Sequence, residues 1–273
     1  MKKLIVSIFT ITILLSCKKG QNTPVSSPTT DSIEVSCGYN KYINFKCIGK
    51  PIGVFSDCVT DIDGNVYKTV KIGDLTWMAE NLKVSRFNDG SIIPHIKDDE
   101  RWSNTLYAAW CYYNNDSTFN PKYGKLYNWY ALNKTDNGNK NVCPVGWHVS
   151  TYKETINLEA VLGGQDIAGS NIREIDSSSW NSKNKGATNL SLYTGMPSGI
   201  YGYNGFYYLH EAAYWWTSTE SDTDRGIVRV VSSDDSVYGT SAIMKSTGFC
   251  TLYPRLICMN FSSLRFQLAA III

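Results

Sequence analysis

The chain has 273 residues, of which 13% are aromatic and only 18% charged, and its 26 Lys and Arg against 24 Asp and Glu leave a formal net charge of +2. This composition excludes a coiled coil or a disordered chain and provides enough apolar material for a packed core. With Lys2 and Lys3 set aside in the leader, bases and acids balance without a basic run, so no nucleic-acid partner is expected, because such binding depends on neutralising phosphates.

Residues 1–16 read as a lipoprotein signal peptide. Lys2 and Lys3 form its charged start, and the apolar run from Leu4 to Leu15 is too short to span a bilayer as a permanent helix. Leu14-Leu15-Ser16-Cys17 fits a bacterial lipobox, which makes Cys17 the expected lipidation site and the membrane a partner through several acyl chains; an ordinary secretory signal is the alternative. Residues 17–32 are rich in Ser, Thr, Pro, Asn and Gln, bury too little apolar surface to order themselves, and read as a disordered tether. Residues 33–57 hold Cys37 and Cys47 among Tyr39, Tyr42, Phe45 and Ile48. They read either as a small disulfide-closed hairpin or as a short N-terminal extension of the main domain.

From Asp61 the pattern becomes β. Asp63-Gly64 is a turn, Val66 to Ile72 alternates, Gly73-Asp74 turns again, and Leu75-Thr76-Trp77-Met78 returns, which predicts a hairpin. The Asp61 to Asn65 stretch lacks the spacing and downstream glutamate of an EF-hand loop, so the turn reading stands over calcium. Residues 91–141 are mostly polar and aromatic, a long irregular stretch of the kind that is either functional or poorly ordered. Within it, Leu126, Trp129 and Leu132 have helical spacing and predict a short helix whose aromatics fill the core.

Cys143-Pro144-Val145-Gly146 predicts a turn and Trp147-His148-Val149 a short strand. The clearest helix follows. Thr151-Tyr152-Lys153-Glu154 matches a capping box, Leu158, Val161 and Leu162 fall at i, i+3 and i+4, and Gly163-Gly164 supplies the stop, so the helix runs from Thr151 to Leu162. The glycines from Gly195 to Gly205 do not have the spacing of a phosphate-binding loop and predict tight turns between short strands. Phe206 to Tyr208, Tyr214 to Thr217 and Gly226 to Ser232 read as further strands, with the polar loop Glu220 to Arg225 between the last two.

Four of these stretches, Asp61 to Leu82, Tyr123 to Ala131, Val142 to Gly164 and Tyr214 to Glu220, together resemble the Fibrobacter succinogenes major paralogous domain over residues 58–260. Ile167 to Asn189, which holds Trp180, resembles that family's surface excursion. The turn, strand and helix at Val145 to Gly164 are similar, more distantly, to the corresponding part of C-type-lectin-like and formylglycine-generating-enzyme folds. The resemblance implies an α+β fold, a C-type-lectin-like domain of short antiparallel strands with one or two helices and long loops. It also implies an extracytoplasmic position in a Gram-negative envelope, at the outer membrane or cell surface. The chain departs from the family at Ser150 to Thr155, where relatives carry Pro-Thr-Asp-Ala-Glu-Trp. It departs again after Gly248-Phe249-Cys250, where extra residues lead to Cys258 and to an apolar tail, residues 261–273.

Eight cysteines less Cys17 leave an odd number in a chain bound for an oxidising compartment. Cys37 with Cys47 is the economical local pairing, and Cys143 with Cys258 or Cys111 the expected domain staple. Spacing does not fix connectivity, and no CxxC or HxxxH suggests zinc.

His95, His148 and His210 are the only histidines, and none belongs to a nucleophile motif. The sugar-coordinating motifs of C-type lectins and the cysteine pair of formylglycine-generating enzymes are absent, so neither activity carries over. The leading expectation is a non-catalytic binding domain for a glycan or an envelope protein, with Tyr112, Tyr113, Tyr201, Tyr203 and Trp216 as candidate ligand-stacking aromatics. No cofactor is expected, although Glu220, Asp222 and Asp224 would offer oxygen ligands to calcium. The alternatives are an envelope enzyme with His148, His210 and Glu211 in its site, or a structural lipoprotein.

Overall fold

The computed structural model describes residues 30–37, 41–176, 178–181, 184–202 and 205–250, and within them the chain is α+β. Cys17, Tyr203, Cys258 and the C-terminal tail lie outside the described residues. Two strands, β1 (Thr30–Cys37) and β2 (Lys41–Ile48), pair antiparallel as a hairpin. Its register sets Cys37 opposite Lys41 and Cys47 opposite Asp31. At about 3.4 Å of rise per residue the two cysteines stand about 20 Å apart along the ladder, against a reach of about 7 Å for a disulfide. The Cys37–Cys47 pairing is therefore corrected.

The main domain starts with a three-stranded antiparallel sheet of β3 (Val54–Thr60), β4 (Val66–Ile72) and β5 (Leu75–Met78). The β4–β5 hairpin is the one the alternation predicts, and β3 crosses residue 58, where the domain was expected to begin. Between β3 and β4 the Asp61 carboxylate accepts from the amides of Asp63 and Asn65, both at 2.9 Å, from the Asn65 side chain at 2.8 Å and from the Tyr67 hydroxyl at 2.5 Å. Its acceptor sites are taken by the turn itself.

After the short helix α1 (Asp99–Ser103) come β6 (Trp110–Cys111), the helical turn α2 (Asn120–Tyr123) and β7 (Leu126–Tyr127). The helix expected from Leu126 to Leu132 is thus a two-residue strand followed by one 3₁₀ turn, Trp129–Ala131. Trp129 does fill the core, at 1% exposure. The strand expected at Trp147 to Val149 is also corrected. No ladder pairs it; the Asn141 amide caps the Trp147 carbonyl at 2.8 Å, and Ser218 Oγ reaches the Val149 carbonyl at 3.2 Å.

The predicted helix is α3 (Tyr152–Val161), with Thr151 as N-cap and both halves of the capping box made: Glu154 N–H to Thr151 Oγ1 at 3.3 Å, and Thr151 N–H to Glu154 Oε2 at 2.7 Å. Gly163 and Gly164, at φ of 99° and 89°, end it in a conformation that suits glycine. Leu158 and Leu162 are buried, whereas Val161 is half-exposed. The surface excursion is corrected by α4 (Gln165–Ile172) and by Trp180, which is buried in the core.

The remaining strands are β8 (Ser198–Gly202), β9 (Gly205–Leu209), β10 (Ala212–Glu220), β11 (Arg225–Ser232), β12 (Gly239–Met244) and β13 (Gly248–Cys250). A five-stranded sheet has the order β6-β7-β13-β8-β9, and a three-stranded antiparallel sheet the order β10-β11-β12. The main core is unusually aromatic: Trp77, Trp129, Trp180, Trp215, Trp216, Tyr67, Tyr127 and Tyr193 are all nearly or fully buried. Burying such large rings contributes several kcal/mol each on area alone, of the order of 25 cal/mol per Å². Cys111 and Cys143 are buried thiols, so the expected staple through Cys143 is overturned. Burial raises the Cys143 thiol well above its ordinary range. Among the described residues no helix is long and apolar enough to cross a membrane.

Candidate functional site

The chain turns tightly from β9 to β10, with Tyr208 at φ 61° and His210 at φ 67°, a left-handed conformation that is uncommon outside glycine. Three backbone bonds hold this turn: Glu211 N–H to Tyr208 O at 3.0 Å, Asn181 N–H to His210 O at 2.7 Å and Ser233 N–H to Glu211 O at 2.8 Å. Strained residues persist only where the surroundings over-determine them, and they collect at ligand sites. Here the turn, the end of β11 and Asn181 enclose a cleft of about 290 Å³ lined by Tyr208, Tyr214, Glu211, Asp234, Asn181 and the Ser232–Ser233 pair.

The two tyrosine rings stand 6.1 Å apart at 43°. Tyr208 is half-exposed, while Tyr214 is backed by Phe249 at 5.4 Å. Burial, with the Tyr208 phenol and the Glu211 carboxylate nearby, raises the Tyr214 phenol, which keeps its proton and can donate. Carboxylates accept only, amides and hydroxyls do both, and aromatic faces supply apolar contact. The cleft therefore presents hydrogen-bond acceptors, donors and apolar ring faces together.

Around Trp110 lies a second group of polar and aromatic side chains. His95 stacks on the Trp110 ring at 4.0 Å and 6°, and Tyr112 meets both rings edge-on at 5.0 and 5.4 Å. Lys125 Nζ lies 4.0 Å from the Trp110 centroid and donates to Ser85 Oγ. Burial, then the charges of Lys97 and Lys125, lower the His95 imidazole from its ordinary value. Burial lowers Lys125 to about 8, against the opposing pull of Asp63 and Asp61.

The residues chosen from sequence are dispersed. Tyr112 is partly buried beside Trp110, whereas Tyr113, Tyr201 and Trp216 are core residues. Tyr113 packs on Phe119 and Phe206. Tyr201 stacks on Phe206 at 4.3 Å and donates to Asp99, and Trp216 donates to the Tyr127 carbonyl at 3.3 Å. Burial removes those three as stacking platforms. Glu220 is ion-paired to Lys245, Asp222 accepts from the Asp224 amide at 3.0 Å, and no group of three or more His, Cys, Asp or Glu among the described residues could hold a metal.

His148 Nε2 meets the Glu154 carboxylate at 3.2 and 3.3 Å and so belongs to the helix cap. His210 Nδ1 lies 2.6 Å from the Ser179 carbonyl, which assigns the proton to Nδ1, and its ring packs edge-on against Tyr123. Glu211 lines the cleft, and its companions Tyr208, Tyr214 and Asp234 were missed. Their only sequence signal was aromatic residues bracketing a turn.

These features define an α+β domain whose polar sites are built on turns over an aromatic core. The chain belongs to the Fibrobacter succinogenes major domain family, whose model matches residues 70–255. Neither a curated protein nor a solved structure matches it.

Proposed function

We propose that this chain is a cell-envelope lipoprotein, anchored through Cys17, whose domain is C-type-lectin-like in layout and binds carbohydrate through the cleft of Tyr208 and Tyr214. The observation that carries this reading is the cleft lining: two tyrosine rings beside two carboxylates, a carboxamide and two serines. Apolar ring faces cover the C–H faces of a sugar while the acceptors bond its hydroxyls. A volume of about 290 Å³ lies at the low end of small-molecule sites and suits one ring of a longer glycan. The lipobox at Leu14 to Cys17 and the disulfide-bonded Cys58 support an oxidising, extracytoplasmic position.

The test is binding of the full-length chain in detergent to a glycan array, repeated with Tyr208→Ala and Glu211→Gln. Saturable binding that both variants weaken at least tenfold supports the reading. Binding indifferent to both, or no glycan bound by folded protein, sinks it. A chelator is expected to leave binding unchanged, because the cleft lining assembles no cation site.

A further inference from the structure

We propose that Ser85 and Lys125 form a serine–lysine dyad that hydrolyses carboxylic esters, an activity beyond ligand binding and at a site sharing no residue with the cleft. Ser85 is partly exposed, in the stretch that follows β5. Its backbone is fixed on both sides: its amide donates to Asp63 Oδ2 at 2.5 Å, and its carbonyl accepts from the Ile93 amide at 2.9 Å. Lys125 is only 3% exposed, its amide is bonded to the Leu82 carbonyl at 3.0 Å, and its Nζ donates to Ser85 Oγ. Ser85 is thus the more exposed of the pair and Lys125 the more buried, and desolvation is one way a lysine is activated.

A lysine serves as a base only when it is neutral. Burial supplies this, bringing Lys125 to about 8, so that a working fraction is unprotonated at mildly alkaline pH. Asp63 would oppose the shift, but its carboxylate is also bonded to Arg86 Nε at 2.6 Å and to the Ser85 amide. The Trp110 ring lies beneath the Lys125 Nζ, and His95 stacks on the same ring.

In the acylation step, the Ser85 Oγ–H proton passes to the neutral Lys125 amine as Oγ bonds to the ester carbonyl carbon. Collapse of the tetrahedral adduct breaks the bond to the alkoxy oxygen, which leaves as the alcohol with the proton returned by Lys125. Water then attacks the acyl-serine and gives its proton to Lys125. Expulsion of Ser85 Oγ, which takes that proton back, yields the acid. Ester and water become acid and alcohol, with no further reactant.

The full-length protein is treated with an alkyl fluorophosphonate across pH 6 to 9.5 and the labelled residue is located by peptide mass spectrometry. Ser85 is expected to be phosphonylated with loss of fluoride, at a rate that rises through pH 8 and levels off. p-Nitrophenyl acetate turnover should follow the same profile, and Ser85→Ala should abolish both. Lys125→Arg keeps the cation over Trp110 but cannot act as a base, and should slow labelling by about 100-fold. An unlabelled Ser85 in folded wild-type protein, a rate flat through pH 8, or wild-type labelling in Lys125→Arg would overturn the proposal. If that variant fails to fold, the wild-type pH profile decides alone.

Discussion

The Lys125 ammonium lies 4.0 Å from the centre of the Trp110 ring and is 3% exposed, so a positive charge has been moved out of water onto an aromatic face. Desolvation outweighs the attraction of Asp63 and Asp61 and lowers the group from 10.5 to about 8. A base with a lowered folded value binds fewer protons folded than unfolded between those two points. Stability therefore rises with pH from about 8 upward, and this contribution is lost as pH falls through 8. Denaturant unfolding between pH 8 and 9.5, below the range where tyrosines ionise, should show a positive slope of at most about 1.4 kcal/mol per pH unit. In Lys125→Met that component of the slope should vanish.

The capping box at α3 supports a local prediction. Thr151→Ala removes the acceptor for the Glu154 amide and should cost about 1 kcal/mol by urea denaturation, while Thr151→Ser should recover most of it. The Glu154 carboxylate is raised by burial but lowered further by His148 and by the Thr151 amide, so its net value is depressed. Its stabilisation is present above the ordinary carboxylate range and is lost in acid as pH falls through the depressed value. Glu154→Gln should flatten that acid limb.

Gly226, on β11, lies against the indole of Trp129. A methyl group there would come within 2.4 Å of Trp129 Cδ1 and Nε1 and 2.9 Å of Trp216. Neither buried ring has room to retreat, and the Trp129 Nε1 bond to the Thr217 carbonyl at 3.1 Å would have to stretch. Gly226→Ala should destabilise by about 1 to 3 kcal/mol or more, read as a lower thermal midpoint with unchanged far-UV circular dichroism.

What the sequence made legible was what is encoded over short spans. The Thr151–Glu154 box, the Gly163–Gly164 stop and the β4–β5 hairpin each depend on neighbours within a few residues. Helix α4 escaped because its buried residues run consecutively from Ala168 to Ile172 and, apart from Ile172, are small or polar, so they show no apolar periodicity. Gly169 is there because any side chain would strike the carbonyls of Ser236 and Val237, a contact across about 67 positions that no local pattern reports. The aromatics were identified as a class, but Tyr201 and Trp216 went into the core and Tyr208 to the surface. Strand alternation is a weak guide where both faces of a sheet are covered. Ser85 and Lys125 meet from positions 40 apart. The signal for Lys125 was a lysine between Gly124 and the buried Leu126 and Tyr127, where a charge has no solvent to meet.

Arg229 carries a charge almost fully out of water. At 1% exposure, its guanidinium lies 3.9 Å over the Tyr238 ring, bonds to Thr240 Oγ1 at 2.7 Å and the Tyr238 carbonyl at 2.8 Å, and is ion-paired with Glu159 of α3. This ties the exposed end of α3 to the middle of β11. Removing one partner leaves the other charge buried and uncompensated, which costs about 3 to 5 kcal/mol, while replacing a whole buried pair by apolar groups of similar volume is often close to neutral. Glu159→Ala and Arg229→Ala should therefore each lower denaturant stability by several kcal/mol, whereas Glu159→Leu with Arg229→Met together should lose much less than the sum. Additive losses in that double-mutant cycle would show that Arg229 acts through its stacking on Tyr238 and its bonds to β12 rather than through the ion pair.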